Sequence, residues 1–372
     1  MSRLADSRYD VLVVGGGAMG SAAAWQLARR GRAVLLLERF GAGHIYGASH
    51  GGVRIFRYGY EDPTYVRMVQ AALPLWRELE ADAGETLLEL TGALDHGLER
   101  DLDVLAAAYR ECGVRHERLT AQDAAQRWPG LRFDTAVLAQ ADAGRTKAAA
   151  TVTALHRTAA AHGADVRTDT QVLAIEWKAD EVIVRTENEK FSAPVAVVAV
   201  GAWAESLLDL LDIPLPELRT TEEQVFHFPP IEEHPGGNPW PSFMHRGPRI
   251  WYGLQTPGEG IKLGEHHAGA ACDPEPGRRS FTIDPAARDR VRRYAAEWLP
   301  GVDPEPVTET TCLYTTTPTE DFVIDRFGPI VVAAGFSGHG FKFTPLIGAR
   351  LADLAVGGLS RREDRAGDAR WV

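Results

Sequence analysis

Three glycines, Gly15, Gly17 and Gly20, form a G-x-G-x-x-G pattern directly behind the apolar run Val11-Leu12-Val13-Val14. The first allows a tight turn, the second lets backbone approach a pyrophosphate, and the third lets a helix lie against a strand. Ser21 to Arg30 is alanine-rich and closes at Gly31, the pattern of a helix with a glycine stop. Its N-terminus offers unpaired N–H groups and partial positive charge to phosphates. A second strand, Ala33 to Leu37, ends at Glu38, where a carboxylate can accept from a ribose hydroxyl. That acid disfavours a 2′-phosphate, so NADP ranks behind NAD and FAD. The bland alternative is a glycine turn with no ligand.

Three more segments separate NAD from FAD. They are Gly47-Ala48-Ser49-His50-Gly51-Gly52-Val53-Arg54-Ile55-Phe56-Arg57, Cys312-Leu313-Tyr314-Thr315-Thr316-Thr317-Pro318 and Gly335-Phe336-Ser337-Gly338-His339-Gly340-Phe341-Lys342-Phe343. Together they resemble the monomeric sarcosine oxidase and N-methyltryptophan oxidase family of flavoprotein amine oxidases, in the same order and over residues 9–358. The resemblance implies FAD and an α/β, two-domain chain. A Rossmann-like FAD domain of the glutathione-reductase type would carry a mixed-sheet substrate domain, an arrangement like that of p-hydroxybenzoate hydroxylase. The expected division assigns 1–85, 145–215 and 310–372 to the FAD domain, and 86–144 and 216–309 to the substrate domain.

The resemblance also implies roles. Cys312 matches a cysteine linked to the 8α-methyl of FAD, a bond that needs a thiolate with a lowered pKa. Arg57 and Lys342 match the pair that holds an amino-acid carboxylate, a task suited to a guanidinium supported by an ammonium. Without the resemblance, Arg57 reads equally well as a surface arginine pairing with Glu61. Lys262, in Gly260-Ile261-Lys262-Leu263-Gly264-Glu265-His266, matches a lysine that activates O2, since a buried cation stabilises superoxide-like charge. An exposed strand lysine is its ordinary alternative. His50 and Arg54 match residues beside the flavin ring. Tyr252, Tyr314 and His266 match residues lining the substrate cavity, to which Met244 is expected to add wall.

Gly15, Gly17, Gly20, Glu38, Arg39, Ser49, Val172, Gly201, Gly338, His339, Gly340 and Phe341, with Cys312 and Lys342, complete the expected cofactor contacts. Two departures stand out. Ser49 occupies a place where the family prototype has a second histidine, and the Pro-rich stretch from Phe226 to Trp251 has no residue-by-residue match. The expected reaction oxidises sarcosine or another N-methyl amino acid to an imine. O2 becomes H2O2, and formaldehyde leaves on demethylation. Alternatives are a cyclic imino acid of the proline or pipecolate type, a glycated amino acid, a dehydrogenase with another acceptor, or a flavin-binding protein without turnover.

The elements that must position these residues are legible by pattern. Tyr65 to Ala81 reads as an amphipathic helix interrupted at Pro74, and residues 41–63 read as irregular. Thr91 to Asp95 reads as a strand, Leu102 to Cys112 as a helix, and Thr120 to Asp123 as a capping box. Lys147 to His162 reads as a helix, followed by strands at Val166, Val172–Trp177, Glu181–Thr186 and Val195–Val200. Residues 215–283 look mostly β, before a helix from Asp284 to Trp298. A βα pattern returns at Ile330–Ala334 and Pro345–Ala355, and the Arg-rich tail from Ser360 to Val372 is expected to be loose.

Composition narrows the classes. A net charge of −11 argues against a nucleic-acid partner, which needs a basic face. Cys112, Cys272 and Cys312 are too few and too far apart for a disulfide framework or a CxxC zinc site, so no metal is expected. Neither Met1 to Tyr9 nor any longer apolar run reads as a signal peptide or membrane helix, so a cytoplasmic monomer acting on a small amine is expected.

Overall fold

The computed structural model describes residues 9–178, 180–209 and 211–357. The tail from Ser360 lies outside them.

Val11–Val14 is four consecutive apolar residues because both faces of its strand are covered, as a parallel sheet requires. Val11 and Val13 pack into one core with the helices Ala18–Arg29, Pro63–Ala83, Ala148–Ala161 and Thr344–Val356. Leu12 and Val14 face a second core, covered by the antiparallel strands Ala174–Lys178, Glu181–Arg185 and Lys190–Ala193. The sheet runs in the order 323–327, 330–334, 195–198, 11–14, 34–37, 165–167. All its pairings are parallel except that of 323–327 with 330–334. This is the doubly covered α/β architecture expected, with Val11–Val14 central.

A mixed sheet of nine strands forms the other layer. Its backbone is Arg219–Phe228, flanked by Gly260–Glu265 and by the long strand Thr308–Thr316, which carries Cys312. Ser242–Arg246 pairs parallel with Ala93–Gly97 and antiparallel with Trp251–Thr256. The helices Ala121–Arg127 and Pro285–Trp298 accompany this sheet, and Val291, Tyr294 and Ala295 of the second join its core. A small sheet, Val53–Phe56 with Gly144–Lys147 and Leu88–Glu89, completes the β structure.

Several expectations shift. The helix over Pro63–Ala83 runs through Pro74 without a break, with Asp62 accepting from Thr64 N at its start and Gly84 in the left-handed region at its end. The missing N–H at Pro74 costs less than losing the buried face of Val66, Val69, Ala72, Trp76 and Leu79. The stretch 41–63 contains the strand Val53–Phe56, formed because Gly144–Lys147 pairs with it from far along the chain. The strand expected at 91–95 lies at Ala93–Gly97, and that at 172–177 lies at Ala174–Lys178. Thr120 caps its helix, its hydroxyl accepting from Asp123 N.

Gly348 shows how tightly the first core is built. A Cβ there would stand 2.6 Å from the backbone of Ala22 in the glycine-turn helix. Overpacking of that kind costs about 1–3 kcal/mol. Gly348→Ala is therefore expected to lower the Tm by a few degrees, measured by calorimetry, and to weaken cofactor retention because the glycine-turn helix must move.

Candidate active site

Residues from the ends of four parallel strands, Val14, Leu37, Ala199 and Gly335, open onto one cavity of about 800 Å³. Such a crevice beyond the carboxyl ends of the strands is where α/β sheets bind ligands. Gly15 turns with φ +102°, and a Cβ there would stand 2.5 Å from Ala199 O. A Cβ on Gly20 would run into Gly15 O, so these two glycines serve the turn, while Gly17 lines the cavity.

The turn is braced from both sides. Glu38 accepts from Gly16 N at 2.6 Å and from Phe40 N at 2.9 Å. The Ser49 hydroxyl accepts from Ala18 N at 3.0 Å, capping the helix whose own N-cap, Gly17, has no side chain to do so. Ser49 and Glu38 thus have structural tasks besides their place in the cavity wall. Arg39 also lines the cavity, but its guanidinium is fixed by two hydrogen bonds to Glu275, at 2.9 and 2.8 Å. Val172 and Gly201 sit at the same end.

The opposite end of the cavity is lined by His50, Arg54, Cys312, Tyr314, Gly338, Gly340 and Phe341. Arg54 donates to Ala48 O, His50 O and Val53 O, at 3.0, 2.7 and 2.9 Å. Burial raises the Cys312 thiol, but the His50 imidazole and the charges of Arg54 and Lys262 outweigh it and bring the thiol to about 6. Cys112 and Cys272 behave oppositely, both thiols being pushed up by burial.

Gly20, Arg57, Met244, Tyr252, Lys262, His266, His339 and Lys342 are not among the lining residues. Several of these meet one another around Tyr314 and Tyr60. The Tyr314 hydroxyl lies 3.3 Å from His266 Nδ1, and Tyr252 packs edge-on to the same imidazole. Lys342 donates to Tyr60 OH at 2.8 Å and His339 O at 2.7 Å, and Arg57 lies over the same Tyr60 ring. His339 Nδ1 reaches Tyr60 OH at 3.0 Å. Met244 is buried opposite both Tyr252 and Asp95 in register. Lys262 is 7% exposed and donates to Val53 O at 3.2 Å, so it is no surface lysine.

Arg57 does not pair with Glu61. It faces Asp95 at 3.6 Å, while Arg246 takes both Glu61 and Asp95. Asp95 is fully buried and also accepts from Gln140 Nε2 at 3.0 Å and Tyr109 OH at 3.3 Å. Neither Asp95, Arg246 nor Tyr60 was reached from sequence. The available signal was an acid directly behind the apolar pair Ala93-Leu94 in a strand. Burial, reinforced by Arg57, holds the Lys342 amine well below its ordinary range. His266 is likewise held neutral by burial and by the histidines and cations around it.

Size, glycine turn, helix N-terminus and the left-handed Gly15, Gly201 and Gly338 suit the cavity to an extended dinucleotide, and a low thiol faces its inner end. The model described as FAD dependent oxidoreductase matches residues 10–354. The chain belongs to that family. FAD is the cofactor of that family. Monomeric sarcosine oxidase of a Bacillus species (strain NS-129) is 33% identical over 369 residues, covering 96% of this chain and 95% of its own. N-methyl-L-tryptophan oxidase of Yersinia pestis is 28% identical and covers 91% and 93%. Among solved structures, NikD, described as an unusual amino acid oxidase essential for nikkomycin biosynthesis, superposes with a TM-score of 0.83 at 30% identity, covering 97% and 96%. Among the described residues no helix is long and apolar enough to cross a membrane, and no cluster could hold a metal ion.

Two outcomes follow from the charges. A carboxylate placed between Arg57 and Lys342 restores the Lys342 ammonium, so binding takes up a proton. The affinity of the FAD-loaded protein for acetate, read from the visible spectrum, is expected to fall as pH rises through the lowered Lys342 value. Lys342→Met should flatten that dependence. Replacing Arg54 with Met should move the Cys312 thiol upward from about 6, seen as a higher pH midpoint for alkylation of the apoprotein.

Proposed function

We propose that this chain oxidises an N-methyl amino acid to its imine and passes the electrons to O2, forming H2O2. The observation that carries the reading is the pair of cations, Arg57 and Lys342, over the ring of one half-buried tyrosine, Tyr60, on residues adjoining the strand and turn that line the cofactor cavity. Two fixed cations with one partial counter-ion, Asp95, suit an amino-acid carboxylate. The full-length likeness to sarcosine oxidases and to an N-methyl-L-tryptophan oxidase supports the same class.

Bound FAD supplies a two-electron acceptor for the amine carbon and a donor to oxygen. Arg57 and Lys342 hold the carboxylate, and Tyr252, Tyr314, His266 and Met244 shape the space around the amine. A neutral His266 leaves the amine free to lose its proton on binding. Lys262 and Arg54 place positive charge where oxygen gains negative charge, with His50 alongside. Hydrolysis of an N-methylene imine releases formaldehyde. In the same reading the cofactor is attached through Cys312, whose lowered thiol is the required nucleophile. The adenine end lies with Glu38, Arg39, Val172 and Gly201, and the inner end with Gly338, His339, Gly340 and Phe341. A monomeric cytoplasmic enzyme divided as 1–85, 145–215 and 310–372 against 86–144 and 216–309 completes the reading.

Peroxide formation compared across sarcosine, N-methyltryptophan, pipecolate and a fructosyl amino acid tests the substrate class, and an N-methyl amino acid is expected to be fastest. Turnover of none of them would overturn the reading. Acid-precipitated protein is expected to stay yellow, and Cys312→Ala to release its flavin.

A further inference from the structure

His227 and Glu259 have no part in the chemistry so far, yet both face Lys262. Antiparallel register sets His227 directly opposite Lys262, so their side chains leave the same face of the mixed sheet as nearest cross-strand neighbours. His227 is 4% exposed, and neither of its ring nitrogens has a hydrogen-bond partner among the described residues. Buried polar atoms of that kind are rare and call for an explanation.

The Nε2 atom of His227 lies 3.4 Å from Oε2 of Glu259. Glu259 occupies the tight turn Pro257-Gly258-Glu259-Gly260 before the Lys262 strand, and its side chain is 45% exposed. Its other oxygen packs against Gly52, where a Cβ would stand 2.8 Å away. Gly52 precedes Val53, whose carbonyl accepts from Lys262 Nζ. The half-exposed carboxylate thus reaches the imidazole, and the imidazole stands opposite the amine across the strand pair.

We propose that His227 and Glu259 form a proton relay between solvent and the Lys262 amine. The proposal rests on the assignment of Lys262 to oxygen reduction. Converting one O2 to H2O2 takes two electrons, supplied by the amine substrate, and two protons. When the Lys262 ammonium gives up a proton, a solvent proton taken up on the Glu259 carboxylate passes to the ring nitrogen of His227 that faces it. The N–H of the other ring nitrogen, unpartnered at rest, then passes its proton across the strand pair to the Lys262 amine, a transfer that requires the two side chains to close on each other. One solvent proton has then replaced the one given up by Lys262, Glu259 is again a carboxylate, and His227 ends neutral as its other tautomer, reset by ring exchange.

The surrounding charges support this direction of flow. Burial, with Lys262 and Arg54, lowers His227 to about 4, so it is neutral and able both to accept and to donate. Burial and Arg54 lower Lys262 to about 7, against Cys312 and Glu259, which raise it. The groups bearing on Lys262 are Arg54 from strand 53–56, Cys312 from strand 308–316, Glu259 from its own hairpin and His227 opposite. A lysine poised near neutrality changes charge readily, but a buried one needs a route for the proton.

The test uses the FAD-loaded enzyme, reduced anaerobically by its amine substrate and then mixed with O2 across a pH series. Glu259→Gln and His227→Phe are each expected to slow reoxidation about tenfold and to enlarge its solvent isotope effect. Added imidazole should restore His227→Gly. A second readout needs no turnover. The chain has five lysines, so the ¹⁵N signal of Lys262 Nζ, assigned with Lys262→Met, can be titrated directly. Its midpoint should fall in Glu259→Gln, because a raising charge is lost; an unchanged midpoint and unchanged reoxidation in that half-exposed variant overturn the relay. If Lys262→Met itself reoxidises at the wild-type rate, the parent assignment of Lys262 fails instead.

Discussion

Positive charge taken out of water is the constraint on which the site depends. Arg54 and Lys262 share the carbonyl of Val53, and Arg57 and Lys342 share the ring of Tyr60. Each cation forfeits hydration, and the interior returns only part of it through carbonyls, a tyrosine and Asp95. The consequences appear as displaced acidities: a thiol drawn down toward its thiolate and two lysines drawn down toward the free amine. Anions that arrive in the site, whether a substrate carboxylate or charge building on oxygen, complete an arrangement the protein leaves short of negative charge.

Two sheets with different grammar supply the rigidity this needs. The parallel sheet is apolar on both faces and ends in backbone turns, which suits it to hold a cofactor by main chain. The mixed sheet alternates, with Phe226, Phe228, Leu263 and Ile261 in its core and Glu222, Glu223, Lys262 and Cys312 also buried along its strands. Glu222 and Glu223 are themselves tied, the first to Arg279 and Ser280, the second to Thr221 and the amides of Ala268 and Gly269. The charge of these two acids is thus committed locally, which leaves Asp95 as the acid of that sheet facing Arg57.

Much of this was legible in the sequence. The glycine turn, the first strands and Glu38 follow from local pattern, because backbone conformation at Gly15 and two-sided burial of Val11–Val14 leave few residue choices. The grouping of Arg57, Lys342, Tyr314 and His266 came from motif resemblance, since those residues meet through pairings separated by hundreds of positions. What escaped was long-range by nature. Pro74 reads as a helix break until the buried face around it is known, and Val53–Phe56 reads as loop until Gly144–Lys147 arrives beside it. Asp95 and His227 belong to none of the motifs, because only the sheet register and the fold bring one to Arg57 and the other opposite Lys262.

The strand bearing Cys312 is paired with Arg219–Phe228 along nine consecutive residues. A cofactor joined covalently to that strand and seated in the glycine turn of the other sheet would act as a rivet between two layers that the chain itself crosses several times. Unfolding either layer would then drag on the other through a bond that heat does not loosen, so the cofactor would set the mechanical cooperativity of the molecule as well as its chemistry.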